Sequence, residues 1–250
     1  MRRRWVIGSW MACWLAASAW SPVRAHDVRA VDLALVIAVD VSTSMDREER
    51  ILQHEGFAGA FEDSSVIGAI AEGPHGRIAV TYFEWAGNTR QRLIMPWTII
   101  DGAQSSENFA ARLRQRIPGT MDGGTAIGTA LLYGVGLLDA KPFFADRNVI
   151  NLSGDGVNNR GADLDAARTA ALSRGITING LAIVYKDMME GLVEVVEPVS
   201  PEVLIDYFDT EIIGGTGAFV EPVTALENYS QSIRRKILRE IQDPRQLASR

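Results

Sequence analysis

Apolar and polar positions alternate in blocks along this chain, and the blocks change period in a regular order. Leu33 to Val39 is an unbroken apolar run rich in branched residues that ends on Asp40. A run of that kind suits a strand buried on both faces, as in a parallel sheet covered by helices. Asp46 followed three positions later by Glu49 predicts a capping box opening a helix, with Phe57 and Phe61 on its inner face. Arg77–Trp85 and Arg90–Trp97 read as strands, and the Gly87-Asn88 turn between them predicts an antiparallel hairpin.

Beyond the hairpin, Phe109–Ile117 reads as a short helix closed by Pro118. Ala126–Leu138 follows as a second helix, with Ile127, Ala130, Leu131, Gly134 and Leu138 on one face. Arg147–Leu152 predicts a buried strand, Ala162–Ser173 a helix stopped by Gly175, and Ile176–Tyr185 the next strand. Pro201–Phe208 is expected to be helical, Ala218–Val220 to be a short edge strand, and Leu226–Ile241 to be the closing helix. Alternating strands and helices imply an α/β fold: a doubly wound, mostly parallel sheet with one antiparallel edge strand and helices on both faces.

The first residues follow another pattern. Met1-Arg2-Arg3-Arg4 is a positive start, Trp5 to Trp20 is uncharged and largely apolar, and Val23-Arg24-Ala25 places small residues where a signal peptidase reads. The chain therefore divides into a signal peptide at 1–25, a domain at 26–242 and a polar tail at 243–250, with the mature protein periplasmic or secreted. No later segment is long and apolar enough to span a membrane. Lys186–Pro201 and the tail read as the low-order segments.

Cleavage after Ala25 removes four arginines and no acids, leaving 21 basic against 31 acidic side chains, a net −10. A surface of that sign disfavours nucleic acid and anionic membranes as partners. Cys13, the single cysteine, leaves with the signal, so disulfides and thiolate metal ligands are excluded from the mature domain.

Open α/β sheets bind ligands at the carboxyl ends of their strands. Three segments there carry polar chemistry: Asp40-Val41-Ser42-Thr43-Ser44, Asp122-Gly123-Gly124-Thr125 and Ser153-Gly154-Asp155-Gly156. Together they offer two carboxylates, Asp40 and Asp155, and three hydroxyls, Ser42, Ser44 and Thr125. All are hard oxygen donors, which suits Mg²⁺ or Mn²⁺. Alternation at Asp40, Ser42 and Ser44 would let an extended loop point all three the same way. Two carboxylates neutralise a divalent cation while the hydroxyls add no charge, so the ion can still attract an acidic group from outside.

Asp-x-Ser-x-Ser, a Thr after Gly-Gly, and an Asp before Gly, in that order, resemble the metal-ion-dependent adhesion site of von Willebrand factor type A domains. The resemblance covers about Val31 to Val220 and, more narrowly, extends to exported bacterial type-A-like proteins with no assigned function. It implies that Ser42, Ser44 and Thr125 coordinate the metal directly. Asp40 and Asp155 would do so directly or through water, and a partner's Asp or Glu, or a solvent molecule, would complete the octahedron. One departure is Gly154, where these domains more often carry Thr.

Other residues read more plainly. Thr125 also suits a helix N-cap, Asp122 a turn, and Asp46 a cap. Gly214-Gly215-Thr216-Gly217 lacks the Lys of a phosphate loop and precedes a strand, so it reads as a turn. His26, His54 and His75 share no metal-ligand spacing and read as surface residues, and Arg234, Arg235, Lys236 and Arg239 read as a solvated basic strip. Asn151-Leu152-Ser153 and Asn228-Tyr229-Ser230 match the glycosylation pattern by chance, the first lying in a buried strand.

The leading expectation is a non-enzymatic module that grips an acidic residue of a protein partner through its metal. A phosphatase using Asp40 as nucleophile would want a second acid where Ser42 stands, and no Gly-x-Ser-x-Gly elbow or histidine base accompanies the motif. A passive scaffold whose metal only stabilises the fold is the third alternative.

Overall fold

The computed structural model describes residues 30–185 and 200–242. The expected signal peptide, the polar tail and residues 186–199 of the low-order segment lie outside the described residues. Among those described, six strands form one sheet in the order β3-β2-β1-β4-β5-β6. β1 (Val31–Asp40) is central, flanked by β2 (Ile78–Trp85) and β4 (Ala145–Gly154), both parallel to it. β5 (Ile176–Ile183) and β6 (Val220–Val223) continue the parallel half, and β3 (Gln91–Ile100) is the antiparallel edge.

Every residue of β1 is buried, so its two faces feed two cores. Leu33, Leu35, Ile37 and Val39 pack under α1 (Arg47–Glu62), α2 (Ser64–Ala71), α3 (Ala103–Arg114) and α7 (Tyr229–Ile241). Ala34, Val36 and Ala38 pack under α4 (Ile127–Asp139), α5 (Leu164–Leu172) and α6 (Pro201–Tyr207). The alternation of leucine and isoleucine with alanine lets the second set of helices lie closer to the strand. Phe57 and Phe61 are fully buried, as their spacing predicts, and each such side chain contributes about 1.5–3 kcal/mol of burial.

Several boundaries differ from the pattern, each for a physical reason. Helix α3 starts at Ala103 and ends at Arg114, earlier at both ends than the predicted Phe109–Ile117. Its inner face runs Ser106, Phe109, Ala110, Leu113, and Ser106 occupies an apolar position because its hydroxyl donates to Phe61 O at 2.6 Å. Helix α2 has no counterpart in the predicted elements. It exists because Asp63 ends α1 in an extended conformation and caps α2 through Ser65 N at 2.9 Å. The last parallel strand runs Val220–Val223, starting two residues later and ending three later than the predicted Ala218–Val220. Both sheet edges carry a proline, Pro96 in β3 and Pro222 in β6.

Two side chains read as exposed are interior. His54 is 2% exposed; its Nε2 donates to Leu113 O at 2.7 Å, and its Nδ1 faces the Tyr82 hydroxyl at 3.3 Å. Burial lowers its pKa below the usual histidine value. Lys236 belongs to the basic strip but is fully buried, paired with Glu240 one turn on. Glu240 also accepts Asn151 Nδ2 at 2.9 Å and Asn179 Nδ2 at 3.2 Å. Burial is the main cause that pulls the Lys236 pKa down, and the Glu240 carboxylate opposes it. The rest of the strip is tethered: Arg234 pairs with Asp63, Arg235 with Glu221, and Arg239 stacks on Phe219.

Candidate metal centre

The hydrogen-bond ladder carries β1 to Asp40, which lies beside Trp85 of β2. The chain then turns, with Met45 N donating to Ser42 O at 3.0 Å, so the loop is not extended to Ser44 as alternation suggested. The side chains converge all the same. Ser42 N donates to Asp40 Oδ1 at 2.8 Å, the Ser42 and Ser44 hydroxyls lie 2.9 Å apart, and Ser44 Oγ donates to Asp155 Oδ1 at 2.8 Å. Asp40 is fully buried and Ser42 nearly so, whereas Ser44 is exposed and Asp155 half-buried. The array therefore runs from the interior to solvent.

Thr125 arrives from a third loop held by backbone contacts. Met121 N donates to Val41 O at 3.0 Å, Ala126 N to Ala86 O at 3.0 Å, and Asn159 N to Thr125 O at 3.0 Å. Asn159 Oδ1 in turn accepts Thr125 N at 3.0 Å, so the Thr125 and Asp155 loops grip each other twice. The Gly-Gly before Thr125 has a steric cause. Gly123 and Gly124 sit at φ +115° and +78°, and a Cβ on Gly87 would come within 2.6 Å of Gly123 O. A Cβ built on Gly156, next to Asp155, would stand 3.8 Å from Thr125 Oγ1, so the hydroxyl adjoins that loop. The N-cap of α4 is Ala126 and no side chain caps it, so the threonine does not serve as the cap.

Gly154, the departure from the adhesion-site pattern, backs directly onto the buried carboxylate. A Cβ there would lie 3.4 Å from Asp40 Oδ2 and 3.7 Å from both Phe208 and Trp85. The methyl and hydroxyl of a threonine would have to share that space with two aromatic rings. Asp46 is exposed and completes the capping box with Glu49, and Asp122 is an exposed turn residue, so neither joins the array.

Two supporting residues carry no motif signal. Gln53, buried on α1, donates to Asp40 O at 3.0 Å and accepts Ser153 Oγ at 2.6 Å, joining the ends of β1 and β4. Glu84, whose side chain is 1% exposed, accepts Arg92 Nη2 at 2.5 Å and Gly119 N at 3.1 Å, pinning the chain that leads to Thr125.

The donor set fits a small hard cation. Octahedral Mg²⁺ holds oxygens at about 2.1 Å, which puts neighbouring ligands about 3 Å apart. The Ser42–Ser44 and Ser44–Asp155 separations of 2.9 and 2.8 Å match that edge. The same oxygens hydrogen-bond to one another.

Sheet order, helices on both faces and this strand-end constellation define a von Willebrand factor type A fold. The chain belongs to the family described as "Protein of unknown function (DUF1194)", whose model matches residues 30–245. No curated protein matches the sequence. Similar solved structures include a von Willebrand factor type A protein from Catenulispora acidiphila, with a TM-score of 0.56 at 19% identity, covering 84% of this chain and 43% of that one. Proximal thread matrix protein 1 from the mussel byssus, whose adhesion-site motif is occupied by zinc, aligns with a TM-score of 0.55 at 18% identity over 83% of this chain and 47% of its own. The pilus adhesin SpaC from Lactobacillus rhamnosus GG aligns with a TM-score of 0.56 at 13% identity over 84% of this chain and 30% of its own. The chain spans less than half the length of each of these three. Among the described residues no helix is long and apolar enough to cross a membrane.

Proposed function

We propose that this protein is an exported, non-enzymatic binding module that holds Mg²⁺ or Mn²⁺ on Asp40, Ser42, Ser44, Thr125 and Asp155 and uses the ion to grip an Asp or Glu of a protein partner. The observation that carries the reading is the continuous oxygen array from buried Asp40 to exposed Ser44 and on to Asp155. An ion seated there would keep one side toward solvent. Two carboxylates would balance its charge, and a carboxylate from outside would be the natural sixth ligand. The adhesin SpaC and the metal-bearing mussel protein share this fold and support a binding role. A signal peptide at 1–25 and release to the periplasm or beyond are part of the same proposal.

Asp40 makes a poor phosphatase nucleophile. Its carboxylate is fully buried, and one oxygen already accepts Ser42 N. Titration calorimetry with Mg²⁺ tests the site: wild type binds and Asp40→Ala does not. Equal affinity in the two proteins would remove the centre from the reading. A pull-down from the native cell envelope tests the purpose, with capture expected only in Mg²⁺ and lost in Asp155→Ala. Metal-independent capture would leave the ion a structural part at most.

A further inference from the structure

At the opposite end of the sheet a second group of ligand atoms comes together. Asp32 is the second residue of β1 and Asp146 the second of β4. The register Val31 to Ala145 and Leu33 to Arg147 sets the two aspartates side by side on adjacent strands. His75, in the loop before β2, covers them; its Nε2 is 3.2 Å from Asp146 Oδ2. One ligand atom from each residue lies within 4.8 Å of those of the other two.

We propose that Asp32, His75 and Asp146 form a second divalent-metal site, of the zinc type, at the amino ends of the strands. Two like charges in register on neighbouring strands repel each other, and among the described residues no Lys or Arg forms an ion pair with either carboxylate. A divalent ion removes that repulsion. Asp32 is 8% exposed and oriented by two backbone donors, His75 N at 2.8 Å to Oδ1 and Arg77 N at 3.2 Å to Oδ2. These bonds use one lone pair on each oxygen and leave others for a metal. The turn wraps so tightly that a Cβ on Gly73 would stand 2.3 Å from Asp32 Oδ2, which holds His75 over the carboxylates.

The donor set is one imidazole nitrogen and two carboxylate oxygens, whereas the carboxyl-end centre is all oxygen. Imidazole favours Zn²⁺ over Mg²⁺. Three protein ligands leave a coordination position for water or an incoming donor, and the His75 and Asp146 side chains are 30% and 53% exposed. The site is independent of the proposed adhesion centre and stands or falls separately.

The full chain carrying Asp155→Ala isolates it. Titrated with Zn²⁺, that variant is expected to bind one ion per chain, and Asp155→Ala with His75→Ala none. The alanine keeps the backbone N–H that Asp32 accepts, and Asp146→Asn is a second removal at an exposed position. X-ray absorption of the zinc-loaded Asp155→Ala protein is expected to show imidazole scattering that His75→Ala abolishes. Undiminished zinc binding in both the His75 and Asp146 variants, or an all-oxygen shell, would overturn the proposal.

Discussion

Ser44 Oγ donates to Asp155 Oδ1 at 2.8 Å across 111 positions of sequence, and this bond closes the polar array at the carboxyl ends of β1 and β4. It joins an exposed hydroxyl to a half-buried carboxylate, and both belong to loops whose backbones are fixed elsewhere. The bond reports on the centre more directly than either residue alone. In Ser44→Ala the loops stay in place while the array loses its middle member. Mg²⁺ affinity should fall about tenfold or more with little change in melting temperature without metal. Calorimetry paired with thermal melts checks both halves.

Gln53 is not an expected ligand, yet its hydrogen bonds hold Asp40 O and Ser153 Oγ together. Groups that orient ligands from behind commonly carry about 10–100-fold of metal affinity. Gln53→Ala should weaken Mg²⁺ binding by that order, and Gln53→Glu should not restore it, because a carboxylate cannot donate to the Asp40 carbonyl. Mg²⁺ titration of the two variants separates a positioning role from simple space filling.

Gly87 and Gly123 meet backbone to backbone. Gly87→Ala should therefore displace the Thr125 loop, destabilise the fold by about 1–3 kcal/mol and weaken metal binding. Gly59→Ala is the control, since a Cβ there meets nothing within 4 Å. Urea unfolding of the pair gives the comparison.

Acid should destabilise the protein through two groups with different onsets. Burial lowers the folded-state pKa of His54 below its ordinary value of 6.5. Stability is therefore intact above 6.5 and falls as pH drops below it, where the unfolded chain takes up the proton first. Asp63 is held at about 2 by Ser65 and Arg234, against an ordinary 3.8. Its contribution is present above 3.8 and is lost as pH falls toward 2. In His54→Gln the upper slope should disappear and the lower one remain, as read from unfolding free energy at successive pH values.

Lys236→Ala leaves the Glu240 carboxylate buried with only two amide donors, Asn151 and Asn179. Losing one partner of a buried pair costs about 3–5 kcal/mol. Lys236→Ala combined with Glu240→Gln should recover part of that loss, because the uncompensated carboxylate is then removed. Chemical denaturation of the single and double variants checks it.

The ladder of alternating elements was legible because β1 is apolar along its length and the helices carry clean inner faces at Phe57/Phe61 and Ile127/Leu131. What pattern missed are places where a polar side chain does apolar work. Ser106 fills an inner position by bonding to Phe61 O, and Asp63 ends one helix while starting another. His54 and Lys236 are polar in sequence but have bonding partners in the interior. The five candidate ligands could be nominated by type and position, because strand ends in such sheets converge. Gln53 and Glu84 could not, because their roles depend on carbonyls and N–H groups that the sequence does not display. The grouping of Asp32, His75 and Asp146 depends on strand register, which spacing along the chain cannot reveal.

The prolines at the two margins of the sheet have a further consequence. Pro96 and Pro222 each leave a gap in the row of N–H groups that an added strand would need. Sideways growth into ribbons or fibrils is disfavoured at both edges. The two margins are thereby kept from pairing with a second copy, and the carboxyl-end loops remain the face open to contact.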